Sequence, residues 1–143
     1  MKRNTFIAAA ASLLFAGAAA ASDVVGPDKV VYHINNTEQQ ASDGLRNIAN
    51  HLEVNPKARI VVITHARGVD FLLDGAKDPN GNPYQVRVEQ LKLRGVRFDV
   101  CEITLRNRKI DKGSFIPDAT FVPSGVAEIT RLQQREGYAY LRP

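Results

Sequence analysis

The run Ile60-Val61-Val62-Ile63-Thr64-His65 constrains this 143-residue chain more than any other segment. Its first five residues are all β-branched, the side-chain class that suits a pleated strand better than a helix. Apolar and polar residues do not alternate before Thr64, so both faces of the strand need cover. That is the pattern of a central strand in a parallel sheet, with helices packed on either side.

The flanking sequence supplies such helices. Lys29 to Ile34 reads as a first strand, turned by Asn35-Asn36. Thr37 with Gln40 fits a capping box, and Leu45, Ile48 and Leu52 form a helical stripe that Asn55-Pro56 stops. Past the central run, Val69 to Leu73 reads as a short helical turn, and Asp78-Pro79-Asn80-Gly81-Asn82-Pro83 as a loop. Asn82 as N-cap with Pro83 at the first helical position starts a helix carrying Val86, Leu91 and Leu93, ended by Gly95. A strand then runs to Cys101, followed by a helical segment from Leu105 to Ile110. Thr120-Phe121-Val122 is a further strand, Ser124 caps a helix with Val126, Ile129 and Leu132 on one face, and Tyr138 to Leu141 alternate as a last strand. About five strands with intervening helices make a three-layer α/β/α sandwich around a mostly parallel sheet.

The first residues read differently. Lys2 and Arg3 precede an uncharged apolar stretch from Phe6 to Ala20, and Ala19-Ala20-Ala21 offers a cleavage signal. Residues 1–21 are expected to be a signal peptide, leaving a soluble domain over 22–143 in the periplasm with no membrane insertion. Without Lys2 and Arg3 the formal charge falls from +4 to +2. So balanced a domain argues against nucleic-acid binding.

Cys101 is the single cysteine, so no disulfide forms within the chain. It stands at a strand end, where ligand sites of parallel sheets form. A helix beginning after it would favour the thiolate, whereas Asp99 and Glu102 would oppose ionisation if they faced the sulfur. A buried cysteine can equally serve as a small apolar side chain. His65 should share the same sheet edge, either as a base for the thiol or as a strand-end hydrogen-bonding group. Asn35, Asn36 and Ser124, at strand ends opening into helices, are candidates for substrate contact or for N-capping. His33 and His51 read as structural, and Tyr138 and Tyr140 as packing against a neighbour or subunit.

Other chemistries lack their motifs. Three widely spaced histidines with one cysteine make no metal site, and no nucleotide-binding glycine pattern follows a strand. Pro123-Ser124-Gly125 lacks the first glycine of a nucleophile elbow. Neither metal nor cofactor is expected.

Several segments together resemble the DsrE/DsrF-like family. They are Lys29-Val-Val-Tyr-His-Ile34, the Leu45 to Leu52 helix, Gly68-Val69-Asp70-Phe71-Leu72-Leu73, and Leu91 to Gly95 leading into Val96 to Leu105. The longest is the tail, Val122-Pro-Ser-Gly-Val-Ala-Glu-Ile-Thr-Arg-Leu-Gln-Gln-Arg-Glu-Gly-Tyr-Ala-Tyr-Leu-Arg-Pro143. The resemblance implies a flavodoxin-like fold and a homo-oligomer, trimer or hexamer. It also implies sulfur carried as a persulfide on a strand-end cysteine that follows a Gly-Val pair. Gly95-Val96 precedes Cys101, so that role falls on Cys101, with small sulfur compounds or a sulfur-relay protein as partners. The alternative is a non-catalytic oligomeric binding or scaffold protein with a structural cysteine.

Overall fold

A computed structural model describes residues 26–143, and the expected signal segment lies outside the described residues. Five strands pair in parallel: β1 (Lys29–Asn36), β2 (Arg59–Arg67), β3 (Arg97–Cys101), β4 (Ala119–Val122) and β5 (Ala139–Leu141). Four helices connect them: α1 (Thr37–Val54), α2 (Tyr84–Leu93), α3 (Glu102–Arg108) and α4 (Gly125–Glu136). This is the α/β class with the parallel sheet and flavodoxin-like layering expected from the sequence. None of the helices among the described residues is long and apolar enough to cross a membrane.

The sheet order is β4-β3-β2-β1-β5, with β2 in the middle. From β1 to β4 the chain steps one way across the sheet, and right-handed crossovers then place α1, α2 and α3 on one face. The return from β4 to β5 runs the other way and places α4 on the opposite face. The two cores follow this division. Leu45, Ile48 and Leu52 of α1, Val88 and Leu91 of α2 and Leu105 of α3 pack on Val30, Ile34, Ile60, Val62, Phe98 and Val100. Ile129 and Leu132 of α4 pack on Val31, Val61 and Ile63 in a smaller core. Alternate residues of β2 thus enter both cores, each burial contributing about 1.5–3 kcal/mol, which is why its run is apolar without interruption.

Helix boundaries differ from the expectations in instructive ways. Asn36, not Thr37, caps α1, its side chain accepting from the Gln39 N–H, while Gln40 Oε1 accepts from the N–H groups of Asn35 and Asn36. The Thr37 hydroxyl is used elsewhere, donating to the Arg67 carbonyl and accepting from the Phe71 N–H. Pro83, not Asn82, occupies the cap position of α2, because the Asn82 amide donates back to Asp78 within the loop. Tyr84, Val88 and Leu91, spaced four and three apart, form the buried face of α2, whereas Leu93 is 90% exposed and Val86 is exposed too. Val126 also points away from the core of α4, whose buried residues are Gly125, Ile129 and Leu132.

Gly68 fixes the top of the sheet. A Cβ there would lie 2.0 Å from the Ile34 carbonyl oxygen, so only glycine lets the chain leaving β2 press on the end of β1. That contact leads into the short 3-10 turn Asp70–Leu72, whose Phe71 and Leu72 are buried.

Candidate functional site

In parallel sheets a crevice opens where adjacent strands send their chains to opposite faces. β3 and β4 are such a pair, since β3 leads into α3 on one face and β4 leads towards α4 on the other. Cys101, the last residue of β3, pairs with Val122, the last of β4. A cleft of about 430 Å³ opens at this point, lined by Cys101, His65, Ala66, Thr104, Arg108 and Ser124 with the apolar side chains of Ile103 and Val126.

The strand-to-helix junction decides how the sulfur is held. Cys101 keeps extended backbone and occupies the cap position of α3, and its residue is only 5% exposed. The neutral thiol makes no close capping bond. Burial pushes its pKa up, but the Gly125 N–H, the Thr104 N–H and hydroxyl, and the Ile103 N–H favour the anion more strongly. The net places the thiol below the usual cysteine range. Two helix starts therefore converge on one sulfur, α3 through Ile103 and Thr104 and α4 through Gly125. Asp99 and Glu102 do not oppose this, because Arg97 binds the first and Lys112 the second.

Gly125 permits the approach of α4. A Cβ at Gly125 would meet Cys101 Cβ and Ile63 Cγ2 at 3.3 Å and the Thr64 carbonyl oxygen at 3.4 Å. Ser124, one residue before, caps α4 by accepting from the Ala127 N–H at 3.4 Å, and also lines the cleft. Ser124 is therefore the N-cap of α4 and stands at the wall of the cleft.

The rim opposite α4 is backbone held in a strained shape. Ala66 has φ +50, in the left-handed region that costs a residue with a Cβ about 1–2 kcal/mol. Hydrogen bonds hold it there: its N–H donates to Thr104 Oγ1 at 2.9 Å and its carbonyl accepts from Arg108 Nη1 at 2.8 Å. Asp70 in turn holds the Arg108 guanidinium. Thr104 thus stands between the β2 rim and the sulfur, accepting from the Ala66 N–H and favouring the anion of Cys101. Such strain is characteristic of functional sites.

His65 lies in the same cleft as Cys101, as expected from its strand. Its Nε2 is 2.6 Å from His33 Nε2, and His33 Nδ1 is 2.6 Å from the Tyr140 hydroxyl. The two rings are stacked at 4.8 Å. Burial first, then the charges of His65 and Arg142, lower the His33 pKa to about 4, and burial followed by Arg142 lowers that of His65. Both imidazoles are neutral near pH 7 and are weak bases, so the backbone N–H groups and Thr104 account for the acidity of the thiol. His33 is thereby part of a hydrogen-bonded series with the cleft residue His65. His51 is structural, between Tyr32 and Asp28.

Asn35 and Asn36 are not brought to this cleft. They end β1, two strands from β3, where Asn36 caps α1 and Asn35 Oδ1 accepts from Arg142. The residues that sequence reasoning missed are Thr104, Gly125 and the backbone of Ala66. The first carries a readable signal, a hydroxyl in the first helical turn three residues after a strand-end cysteine. Among the described residues, no group of three or more His, Cys, Asp or Glu side chains is placed to hold a metal ion.

Comparison with known proteins places this geometry in context. A model of the DsrE/DsrF-like family matches residues 7–143. Among solved structures, the chain is similar to a protein of unknown function from Methanobacterium thermoautotrophicum. The two are 32% identical with a TM-score of 0.72, over 81% of this chain and 99% of that one. The ychN protein from E. coli has 17% identity and a TM-score of 0.65, over 80% of this chain and 99% of that one, a likeness of fold. No curated protein matches the chain.

Proposed function

This chain belongs to the DsrE/DsrF-like family, and from that membership and the setting of Cys101 we propose that it handles sulfur, carrying sulfane sulfur on Cys101 as a persulfide. The observation that carries this reading is a thiol held below its ordinary range in spite of burial, at the wall of an open cleft. A purely structural cysteine in apolar surroundings would have its pKa raised.

In the proposed step the Cys101 thiolate attacks the outer sulfur of a donor R–S–SH. The donor's S–S bond breaks, RS⁻ leaves and takes up a proton from solvent, and Cys101 becomes Cys–S–SH. An acceptor thiolate then attacks that outer sulfur and restores the Cys101 thiolate, with no net oxidation. The N–H groups of Gly125, Thr104 and Ile103 stabilise the sulfur anion before attack and after release. Ser124 and His65 supply polar walls, while Ile103 and Val126 supply apolar ones.

The expected setting is the periplasm, on the strength of the export-type sequence at residues 1–21. A homo-oligomer is the expected assembly. Tyr140 and Leu141 are exposed on the edge strand β5, and among the described residues α4 is the one helix on its face of the sheet, which supports a second copy packing there. Small sulfur compounds or a relay protein are the expected partners.

The rival reading, an oligomeric scaffold or binding protein with a packed cysteine, is favoured by the 5% exposure of Cys101. Intact-mass analysis after treating the native protein with polysulfide separates the two. The proposal expects a gain of about 32 Da per sulfur, lost on reduction and absent from Cys101→Ser. No gain on the native protein leaves the scaffold.

A further inference from the structure

We propose that the Arg97–Glu128 ion pair is a positioning device: it fixes α4 over β3 and so sets where the first turn of α4 stands against Cys101. The use of this device rests on the reading of Cys101 as a reactive thiol, whereas its existence does not.

The placement of α4 poses the problem. The helix meets the sheet through a small core whose strand residues, Val31, Val61 and Ile63, all come from β1 and β2. Over β3 the helix has no such apolar footing. The β3 side chains on that face alternate as Arg97, Asp99 and Cys101, in register with Val61, Ile63 and the residues beyond. Contact there is polar. Arg97 Nε donates to both carboxylate oxygens of Asp99 at 3.0 Å, and its Nη2 reaches Asp99 at 2.8 Å and Glu128 Oε1 at 3.0 Å. Arg131 holds Glu128 from the other side, at 2.8 and 2.7 Å. Asp99 is 1% exposed and also accepts from Thr120 on β4, so the guanidinium is anchored to the sheet.

Gly125 and Glu128 are three apart on α4 and so share one face of the helix. The helix thus meets β3 at two places, Gly125 on Cys101 and Glu128 on Arg97. Arg97 is forked onto Asp99 and passes one charge-assisted bond from Nη2 to Glu128. With Arg97 44% and Glu128 14% exposed the pair adds little net stability, but the bond is directional and fixes register. Here it fixes how near the Gly125 N–H stands to the sulfur.

Glu128→Ala in the full chain tests this, read by the thiolate absorbance near 240 nm against pH. Removing a negative charge by itself would lower the thiol pKa. The positioning account expects the opposite, a rise of about half to one pH unit, with alkylation at pH 7 slowed about threefold to tenfold. Glu128→Gln, which keeps an acceptor for Arg97, should fall between the two. The remaining charged and titratable groups around the sulfur, His65 and Arg67 on β2, Asp99 on β3, and Glu102 and Arg108 on α3, are untouched by these variants. An unchanged or lowered midpoint in both variants, with only stability reduced, would overturn the proposal. A wild-type thiol titrating at the ordinary cysteine value counts against the reactive-thiol reading instead, and the clamp is then judged on whether Glu128→Ala moves that value.

Discussion

Gly125 stands so close to Cys101 that a methyl group on the glycine would lie 3.3 Å from the cysteine Cβ, with Ile63 and the Thr64 carbonyl equally near. The close approach brings a backbone N–H of α4 to the sulfur, and it depends on the missing side chain. Gly125→Ala should push α4 back by a few tenths of an ångström. Alanine's better helix propensity offsets part of the crowding, leaving a net stability loss of about 1 kcal/mol. The thiol should ionise at higher pH and alkylate more slowly while the circular dichroism spectrum is unchanged. An unaltered titration would show that the Gly125 N–H does not act on the sulfur.

The Thr104 hydroxyl holds the strained Ala66 N–H and also favours the Cys101 thiolate. Thr104→Val keeps the shape and removes that oxygen. The Ala66 N–H then loses its partner, at a cost of about 1–3 kcal/mol, and the thiol loses one of the groups favouring its anion. Thr104→Ser should restore the ionisation. Thermal melts and thiol titrations of the two variants check this, and equal behaviour of Val and Ser would contradict it.

Gly68→Ala should be severe and should act on the fold. The added carbon would meet the Ile34 carbonyl oxygen at 2.0 Å, backbone against backbone, where no rotamer change relieves the clash. A loss of at least about 3 kcal/mol follows, with a melting point lower by roughly 10 °C or more. A variant melting within a few degrees of wild type would mean that the top of β1 yields more readily than its packing implies.

How much of this could be read beforehand depends on what each signal encodes. The unbroken β-branched run of β2 declared a strand buried on both faces, and it lies at the centre of the sheet. Cys101, the last residue of β3, and His65, two residues before the end of β2, share one edge because the strands are parallel, which strand direction alone conveys. The sheet order was not legible, since helix-linked strands leave no pairing signal in sequence, and the crevice between β3 and β4 follows from that order. Asn35 and Asn36 looked like site residues for the same reason as Cys101, a strand end, yet their strand lies two places away. The α2 face was misjudged because Val86 and Leu93 are apolar but Tyr84, Val88 and Leu91 keep helical spacing. Gly125 and Glu128 could not be recognised as partners of Cys101 and Arg97, because packing across a crossover leaves no local pattern.

The His33–His65 pair makes stability fall with acid. In the folded protein His33 takes up a proton only near pH 4, whereas the unfolded chain does so near 6.5. Its stabilising contribution is complete above pH 6.5 and is lost between 6.5 and 4, as the unfolded chain binds the proton first. His65, lowered in the same direction, adds to the trend. Both rings are about half-buried, so solvent screening reduces the size of the effect. Urea midpoints measured from pH 7.5 to 4.5 should fall less steeply in His33→Gln than in wild type. Parallel curves for the two would contradict the assignment.

The account depends most on Cys101 being ionised and reachable in the folded protein. The rate of iodoacetamide labelling of the native full chain, followed from pH 5 to 10, measures both properties at once. The expected profile rises with a midpoint below the ordinary cysteine value of about 8.5 and needs no denaturant. Labelling that starts only when the protein unfolds, or that follows a midpoint above that value, would contradict the account.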